Sequence, residues 1–319
     1  MTTAIFADPI CREHLAGRDH PERPERFDAV VAALGARGWA IERAAREATE
    51  DELRLCHTPE YLRTARQDVE GGYRCLSTGD TDIGTESWTV AARAAGSALN
   101  AVDAVMEGRA RNAFCVVRPP GHHANANRGM GFCLLNNVAI AARYAQRRHG
   151  ASRALIVDWD VHHGNGTQDI FYEDGSVFFF STHQWPLYPG TGRANETGSG
   201  AGEGMTMNCP FPAGSGRREI LGAVRESLMP AMRSFAPDLV LISAGFDSRA
   251  GDLLGRFTLS DQDFADLTEA VMEIADASAA GRVVSLLEGG YSLSGLASAA
   301  AAHVERLHGF GSAAGTIQR

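Results

Sequence analysis

Paired cysteines are missing from this chain. Its 319 residues include six cysteines (Cys11, Cys56, Cys75, Cys115, Cys133 and Cys209), scattered and without a Cys-x-x-Cys spacing. That removes the usual mark of a disulfide framework and suits a cytoplasmic protein with reduced thiols. Long apolar runs are also missing. Nothing approaches the roughly 18 residues of a membrane span, and Met1-Thr2-Thr3-Ala4 has neither the basic nor the apolar region of a secretory signal. There is no basic stripe. The formal net charge is −9, and Arg12, Arg18, Arg23 and Arg26 are interleaved with acids and read as ordinary surface. A nucleic-acid partner is therefore not expected, whereas an acidic surface is compatible with cationic substrates. No Pro- or Ser-rich linker and no internal repeat divides the chain. With 44% hydrophobic residues it reads as one domain over residues 1–310. A low-complexity tail starts near Gly309, and residues 311–319 are expected to fray.

What is present is an alternation of strand-like and helix-like segments. Short apolar runs at 4–7, 114–117, 153–158, 177–180, 205–209, 238–243 and 282–287 read as buried strands. Helical spacing appears at 24–35, 86–106, 137–148, 217–235, 260–275 and 293–307. Thr49-Glu50-Asp51-Glu52 is a capping box, Thr58-Pro59 sets an N-cap before a proline at the first helical position, and Ser260 caps the helix after it. Strands apolar on both faces and alternating with helices imply an α/β fold with a parallel sheet covered on both sides, joined by right-handed crossovers.

The notable polar residues lie just past four of those strands, where ligands sit in an open α/β sheet. After 114–117 comes Arg118-Pro119-Pro120-Gly121-His122-His123-Ala124, a rigid turn that fixes two histidines. After 153–157 comes Asp158-Trp159-Asp160-Val161-His162-His163-Gly164-Asn165-Gly166-Thr167. After 239–243 comes Ala244-Gly245-Phe246-Asp247-Ser248, and after 283–287 comes Glu288-Gly289-Gly290-Tyr291. Asp160 and His162 are two residues apart and face the same way in extended chain. Taken alone, the pair is equally compatible with a polar loop and capping carboxylates, Asp247 with a helix cap, and Tyr291 with packing. Together the residues fit one chemistry. Asp160, His162 and Asp247 would supply three metal ligands and leave positions open. A metal there would lower the pKa of water and polarise a carbonyl. His122 or His123 can serve as general base and acid, with Asp158 and Asn165 available as partners for their far nitrogens. Tyr291 can donate to an oxyanion. The constellation fits hydrolysis of an amide or ester.

These segments, together with His20-Pro21-Glu22-Arg23-Pro24-Glu25-Arg26 and Gly131-Phe132-Cys133-Leu134-Leu135-Asn136-Asn137, resemble the zinc-dependent histone deacetylase superfamily, which includes acetylpolyamine amidohydrolases and acetoin-utilisation proteins. The matching segments run across nearly the whole chain in family order. The resemblance implies a single-domain arginase/deacetylase-like fold with a central parallel sheet of about eight strands and helices on both faces. It implies that Asp160, His162 and Asp247 bind Zn2+, and Fe2+ can replace zinc because such donors are not strongly selective. It makes His123 the general base and acid, faced by Asn165, and His122 a partner histidine oriented by Asp158. Asn at 165, Pro-Glu-Arg-Pro near the start and Glu288 before Gly-Gly-Tyr are similar to the second class of the family. A neutral amide there makes His123 less basic than an Asp partner would. Tyr291 matches the catalytic tyrosine, and Phe132 and Tyr188 match the aromatics that flank the substrate tunnel, the second commonly a Phe. Gly131 would offer its carbonyl to the substrate amide. Asp80 resembles the acid at the rim, with Asp82 as a rival. His163 has no assigned task. Structural K+ is implied at Asp158, Asp160, His162, Ser181 and Thr182, and again near Phe171, Asp174 and Val177.

The resemblance implies removal of an acetyl or other acyl group from an amine such as acetyl-lysine. A second substrate class is an acetylpolyamine or a small acetylated metabolite. Selective polyamine enzymes present a glutamate where Leu254 stands here, and residues 71–88 lack the long insertion that closes their tunnel. A non-catalytic acetyl-amine-binding protein would be missing a ligand, the base or the tyrosine, and all are present. A two-metal arginase-like centre would want an Asp-x-Asp pair where only Asp247 is found.

Overall fold

In a computed structural model, which describes residues 3–15, 17–43 and 45–310, seven apolar segments pair into one parallel sheet. They are β1 (Thr3–Ala7), β2 (Asn112–Val116), β3 (Ala154–Asp158), β4 (Val177–Gln184), β5 (Thr206–Phe211), β6 (Leu239–Ala244) and β7 (Val283–Leu287). Their order across the sheet is β1-β2-β7-β6-β3-β4-β5. Val, Ile, Leu and Phe fill the central strands because both faces are covered, and every residue of β2, β3, β6 and β7 is buried. Helices Ser87–Met106 and Asn137–His149 pack together, and helices Glu25–Gly35, Leu293–Gly309 and Asp261–Ser278 form a second packed group. Among the described residues no helix is long and apolar enough to cross a membrane.

The strand order places the chemistry. β2, β7, β6 and β3 are neighbours, so the four segments that follow them emerge side by side at one edge. Asp158, the last residue of β3, pairs with Ser181 on β4 and Ser243 on β6.

Several expectations need correction. The sheet has seven strands among the described residues, not about eight. Beside β1 a single bridge joins Phe6 to Glu42, and the polar Glu42 and Arg43 stay exposed there. The helical run at 217–235 is not continuous. It is α-helical at Arg217–Gly222 and Met229–Phe235, with a π turn at Ala223–Leu228 between. Pro230 has no N–H to give and crowds the carbonyl four residues back, so the ladder changes spacing in the turn before it. Gly309 belongs to the last helix and Phe310 packs on the core, so the tail begins later than its composition suggests. Residues 311–319 lie outside the described residues. The capping boxes at Thr49 and Ser260 and the cap at Thr58 form as read.

The largest correction concerns Arg26, which is fully buried. Glu22, also fully buried, accepts a bidentate pair from Arg118 (Nε at 2.5 Å, Nη2 at 2.7 Å) and a third bond from Arg26 Nη1 at 2.9 Å. Arg26 continues to the Gly290 carbonyl at 2.6 Å and to the Glu288 carbonyl. The ion cluster thus ties the chain before the first helix to the ends of β2 and β7. Burial alone would raise the Glu22 carboxyl, but Arg118 and Arg26 outweigh it and hold it well below the carboxylate range. Its stabilisation is fully present above its unfolded pKa of about 4.3 and is lost as pH falls toward the depressed folded value. Glu22→Gln, which leaves two guanidiniums buried without a counter-charge, should lower the unfolding free energy by about 3–5 kcal/mol near neutral pH. The gap to the native protein should shrink below pH ~4. Urea denaturation across pH measures both.

Candidate active site

The centre is built from backbone upward. The Pro119-Pro120-Gly121 turn after β2 cannot continue a strand, and its carbonyl at Pro119 accepts from Asn137 Nδ2 at 3.2 Å. Glu288, just past β7, accepts from the N–H groups of Gly121 (2.6 Å) and His122 (3.2 Å). It fixes the peptide that carries both histidines. Glu288 enters the sequence reading only as a mark of class. Its signal was a lone carboxylate between an apolar strand and Gly-Gly.

The two histidines are chain neighbours with ring centroids 4.0 Å apart, yet they meet different partners. His122 Nδ1 lies 2.9 Å from Asp158 Oδ2, and its Nε2 is 3.9 Å from Asp160 Oδ1. Burial disfavours its charge, but Asp158 and Asp160 prevail and push its pKa well up. His123 Nδ1 lies 2.8 Å from Asn165 Oδ1. Burial and the neighbouring His122 and His162 push its pKa well down. Asn165 gives its amide N–H to Met130 sulfur at 3.4 Å, so its oxygen accepts from His123 Nδ1–H. His123 Nε2 is left with a lone pair.

Asp160, His162 and Asp247 converge as the spacing suggests. A ligand atom from each lies within 4.8 Å of the others, and all three residues are buried. Asp160 accepts from the Gly289 N–H at 2.8 Å and the His162 N–H at 2.9 Å, and Asp247 Oδ1 accepts from Val161 N–H at 2.8 Å. His162 Nδ1 faces Asp160 Oδ1 at 3.0 Å and Asp247 Oδ2 at 3.2 Å. Asp247 Oδ2 makes no hydrogen bond. A Cβ on Gly289 would stand 2.0 Å from that oxygen, so only glycine admits this approach. Burial and the adjacent Asp160 raise Asp247 to about 7, while His122 and His162 hold Asp160 low against burial. Against its own burial, His162 is raised to about 10 by Asp160 and Asp247. Two buried carboxylates with one orphan oxygen ask for a cation, and an O/N/O donor set fits a divalent metal.

Above these groups opens a cavity of about 390 Å3. It is lined by Gly131, Phe132, Tyr188, Asp80 and Leu254, with His123, His162 and Tyr291 at its base. Leu187, which the sequence reading did not name, completes the wall. Asp80, not Asp82, faces this space. Gly131 and Phe132 both have left-handed backbone, φ +58° and +69°, an uncommon conformation for a bulky residue that costs about 1–3 kcal/mol. The turn brings Gly131 so near His123 that a Cβ would meet the ring at 2.3 Å. Tyr291 is buried, with an Arg26 guanidinium 5.0 Å from its ring, and burial raises its pKa well above the phenol range, so it stays a donor. Asp252 was also missed. It accepts from Tyr291 N–H at 2.7 Å and Leu254 N–H at 3.0 Å, joining the tyrosine loop to the cavity wall.

The remaining candidates lie away from the cavity. Ser181 Oγ meets His183 Nδ1 at 3.0 Å, and the buried Thr182 Oγ1 and Ser243 Oγ have no hydrogen-bond partner. Asp174 is already engaged by Ser176 and Arg143, so the set with Phe171 and Val177 offers an ion little beyond backbone carbonyls. His163 bonds Thr191 (2.8 Å) and Gln168 (3.0 Å) and is structural.

The histone deacetylase domain matches residues 20–307. The chain is 41% identical to histone deacetylase 6 of Caenorhabditis elegans over 96% of this chain and 34% of that protein. It is 40% identical to polyamine deacetylase HDAC10 of Homo sapiens over 97% of this chain and 46% of that protein. The chain thus spans about a third to a half of these curated relatives. A crystal structure of the HDA15 HD domain superposes with TM-score 0.91 at 38% identity, covering 97% of this chain and 89% of that one.

The donor set makes a direct prediction. The protein should take up a single divalent ion, and Asp247→Ala should weaken that uptake by at least about 100-fold, the upper range for losing even an outer partner of a ligand. Competition against a chelator reads the affinity.

Proposed function

The chain belongs to the histone deacetylase family, and on that premise we propose that it is a zinc-dependent amidohydrolase that removes an acetyl or other acyl group from an amine on an extended methylene chain. One observation carries the reading. A three-donor metal set, a neutral histidine with a free Nε2 and a protonated tyrosine converge at the base of one aromatic-walled cavity. Residues 1–310 act as one catalytic domain. The six free cysteines fit a cytoplasmic protein.

Asp160, His162 and Asp247 would hold Zn2+, or Fe2+ in its place, which would supply Lewis acidity toward water and the acyl carbonyl. His123 is the base. Its Nδ1–H is fixed by Asn165, so Nε2 takes the proton of the attacking water and later passes it to the leaving amine. His122, charged and paired with Asp158, places a positive group beside the developing negative charge. Tyr291 donates to the oxyanion. Phe132 and Tyr188 wall the methylene chain, and the Gly131 carbonyl is placed for the substrate N–H. By the family resemblance, structural K+ binds near Asp158, Ser181 and Thr182, where the orphan hydroxyls of Thr182 and Ser243 support an oxygen-seeking ion.

An acetylpolyamine is the second substrate class, favoured by the name of the human relative. Leu254 weighs against it, because that position of the wall carries no acid to meet a second ammonium.

Tyr291→Phe should lower kcat about 10²–10³-fold and His123→Ala about 10²–10⁴-fold, with bound metal retained in both. Turnover is compared as kcat/KM on acetyl-lysine peptides, longer acyl-lysines, acetylpolyamines and small acetylated metabolites. Full activity in either variant removes the mechanism.

A further inference from the structure

Three loops meet at the mouth of the cavity, and one carboxylate joins them. Asp80 Oδ1 accepts from the Gly131 N–H at 2.8 Å, and Asp80 Oδ2 accepts from the Tyr188 hydroxyl at 3.0 Å. Asp80 lies ahead of the helix Ser87–Met106, Gly131 begins the left-handed turn of Phe132, and Tyr188 follows β4. The two aromatic walls are therefore tied to each other through a single acid. The Tyr188 ring stands edge-on to His123 at 87°, with centroids 5.2 Å apart, so one end of the residue faces the reacting groups while its oxygen reaches the rim. That oxygen is all that distinguishes the residue from phenylalanine. Burial and the adjacent Asp80 carboxylate keep the phenol protonated, so it enters the bond as donor.

Asp80 is exposed. Without the phenol, Oδ2 would face the mouth as a charged acceptor for N–H donors on an arriving molecule. Substrates differ in whether they bring such donors. An acylated side chain within a peptide carries backbone N–H groups at its far end, and an acylated alkylamine carries none. A bond already made to Oδ2 has to be shared or broken by the first kind and is irrelevant to the second.

We propose that Tyr188 is a specificity-determining residue: by clasping Asp80 it turns the site away from acyl-lysine inside a peptide and toward acylated alkylamines that bring no N–H donor to the mouth. The inference deepens the amidohydrolase reading and rests on it.

Two uncharged acetamides serve as probes, N-pentylacetamide and Nα-acetyl-Nε-acetyl-lysine methylamide, the second adding peptide N–H groups at the end of the chain. The quantity read is the ratio of kcat/KM, lysine probe over alkyl probe, with metal-loaded protein. Tyr188→Phe should raise the ratio about five- to tenfold, mainly through KM, as expected for one charge-assisted hydrogen bond gained at a half-exposed site. In an Asp80→Asn background the same substitution should leave the ratio where it stands, because the acceptor it frees is gone. An unchanged ratio in Tyr188→Phe, or an equal rise without the Asp80 carboxylate, overturns the proposal. The ratio is read again as calorimetric Kd values in a Tyr291→Phe background. Wild-type protein that hydrolyses neither probe removes the amidohydrolase reading, and the Kd ratio then decides the clasp alone. Absence of binding to both probes overturns both.

Discussion

Everything at this centre follows from the burial of like charges. Asp160 and Asp247 lie side by side beneath the sheet edge with an imidazole between them, and a carboxylate oxygen that accepts no hydrogen bond is costly in a dry interior. The fold answers with backbone N–H groups from Val161, His162 and Gly289, and with glycine where a side chain would press on the oxygens. The remaining negative charge is what a cation neutralises. On the proposed reading, a divalent ion between them is the condition under which these residues can be buried together.

The same reasoning separates two adjacent histidines. His122 and His123 share a rigid turn and almost the same burial, but one faces a carboxylate and the other an amide. A charged partner holds a proton on the first ring, and that charge in turn helps to strip the second. One charged and one neutral imidazole a few ångströms apart are what a site needs to stabilise a negative charge and move a proton together.

Much of this was legible in the sequence, for a physical reason. Strands such as β3 and β6 are apolar on both faces and end abruptly at Asp or Gly, so their positions and the polar residues that follow them can be read without knowing their neighbours. What escaped depends on partners far away in the chain. Arg26 looks like surface among Glu22, Arg23 and Glu25, and only the distant Arg118 and the carbonyls beyond β7 make a buried guanidinium tolerable. The polar end of β4 escaped because Ser181 and His183 satisfy each other and Gln184 meets the Arg256 N–H at 2.9 Å. Glu288 and Asp252 touch backbone N–H groups rather than the cavity, so local sequence does not show their partners, and the lone carboxylate before Gly-Gly at 288 is the one local signal of the two. The spacing at 217–235 reads as one helix, although Pro230 is a local signal for the π turn before it.

The ion cluster beneath the site has a consequence in time. Arg26 bonds to carbonyls 262 and 264 residues further along the chain. β2 must also admit β7, the last strand to be made, between itself and β6. Contacts of such long sequence separation close late and slowly. During synthesis Glu22 can meet Arg26 and Arg118 early, whereas the carbonyls that complete the Arg26 cluster come only after β7. The centre therefore cannot mature piece by piece as the ribosome proceeds. Until β7 enters the gap between β2 and β6, Arg26 lacks its two carbonyl partners and Asp160 lacks the Gly289 N–H, so the centre is expected to be completed only when that strand docks.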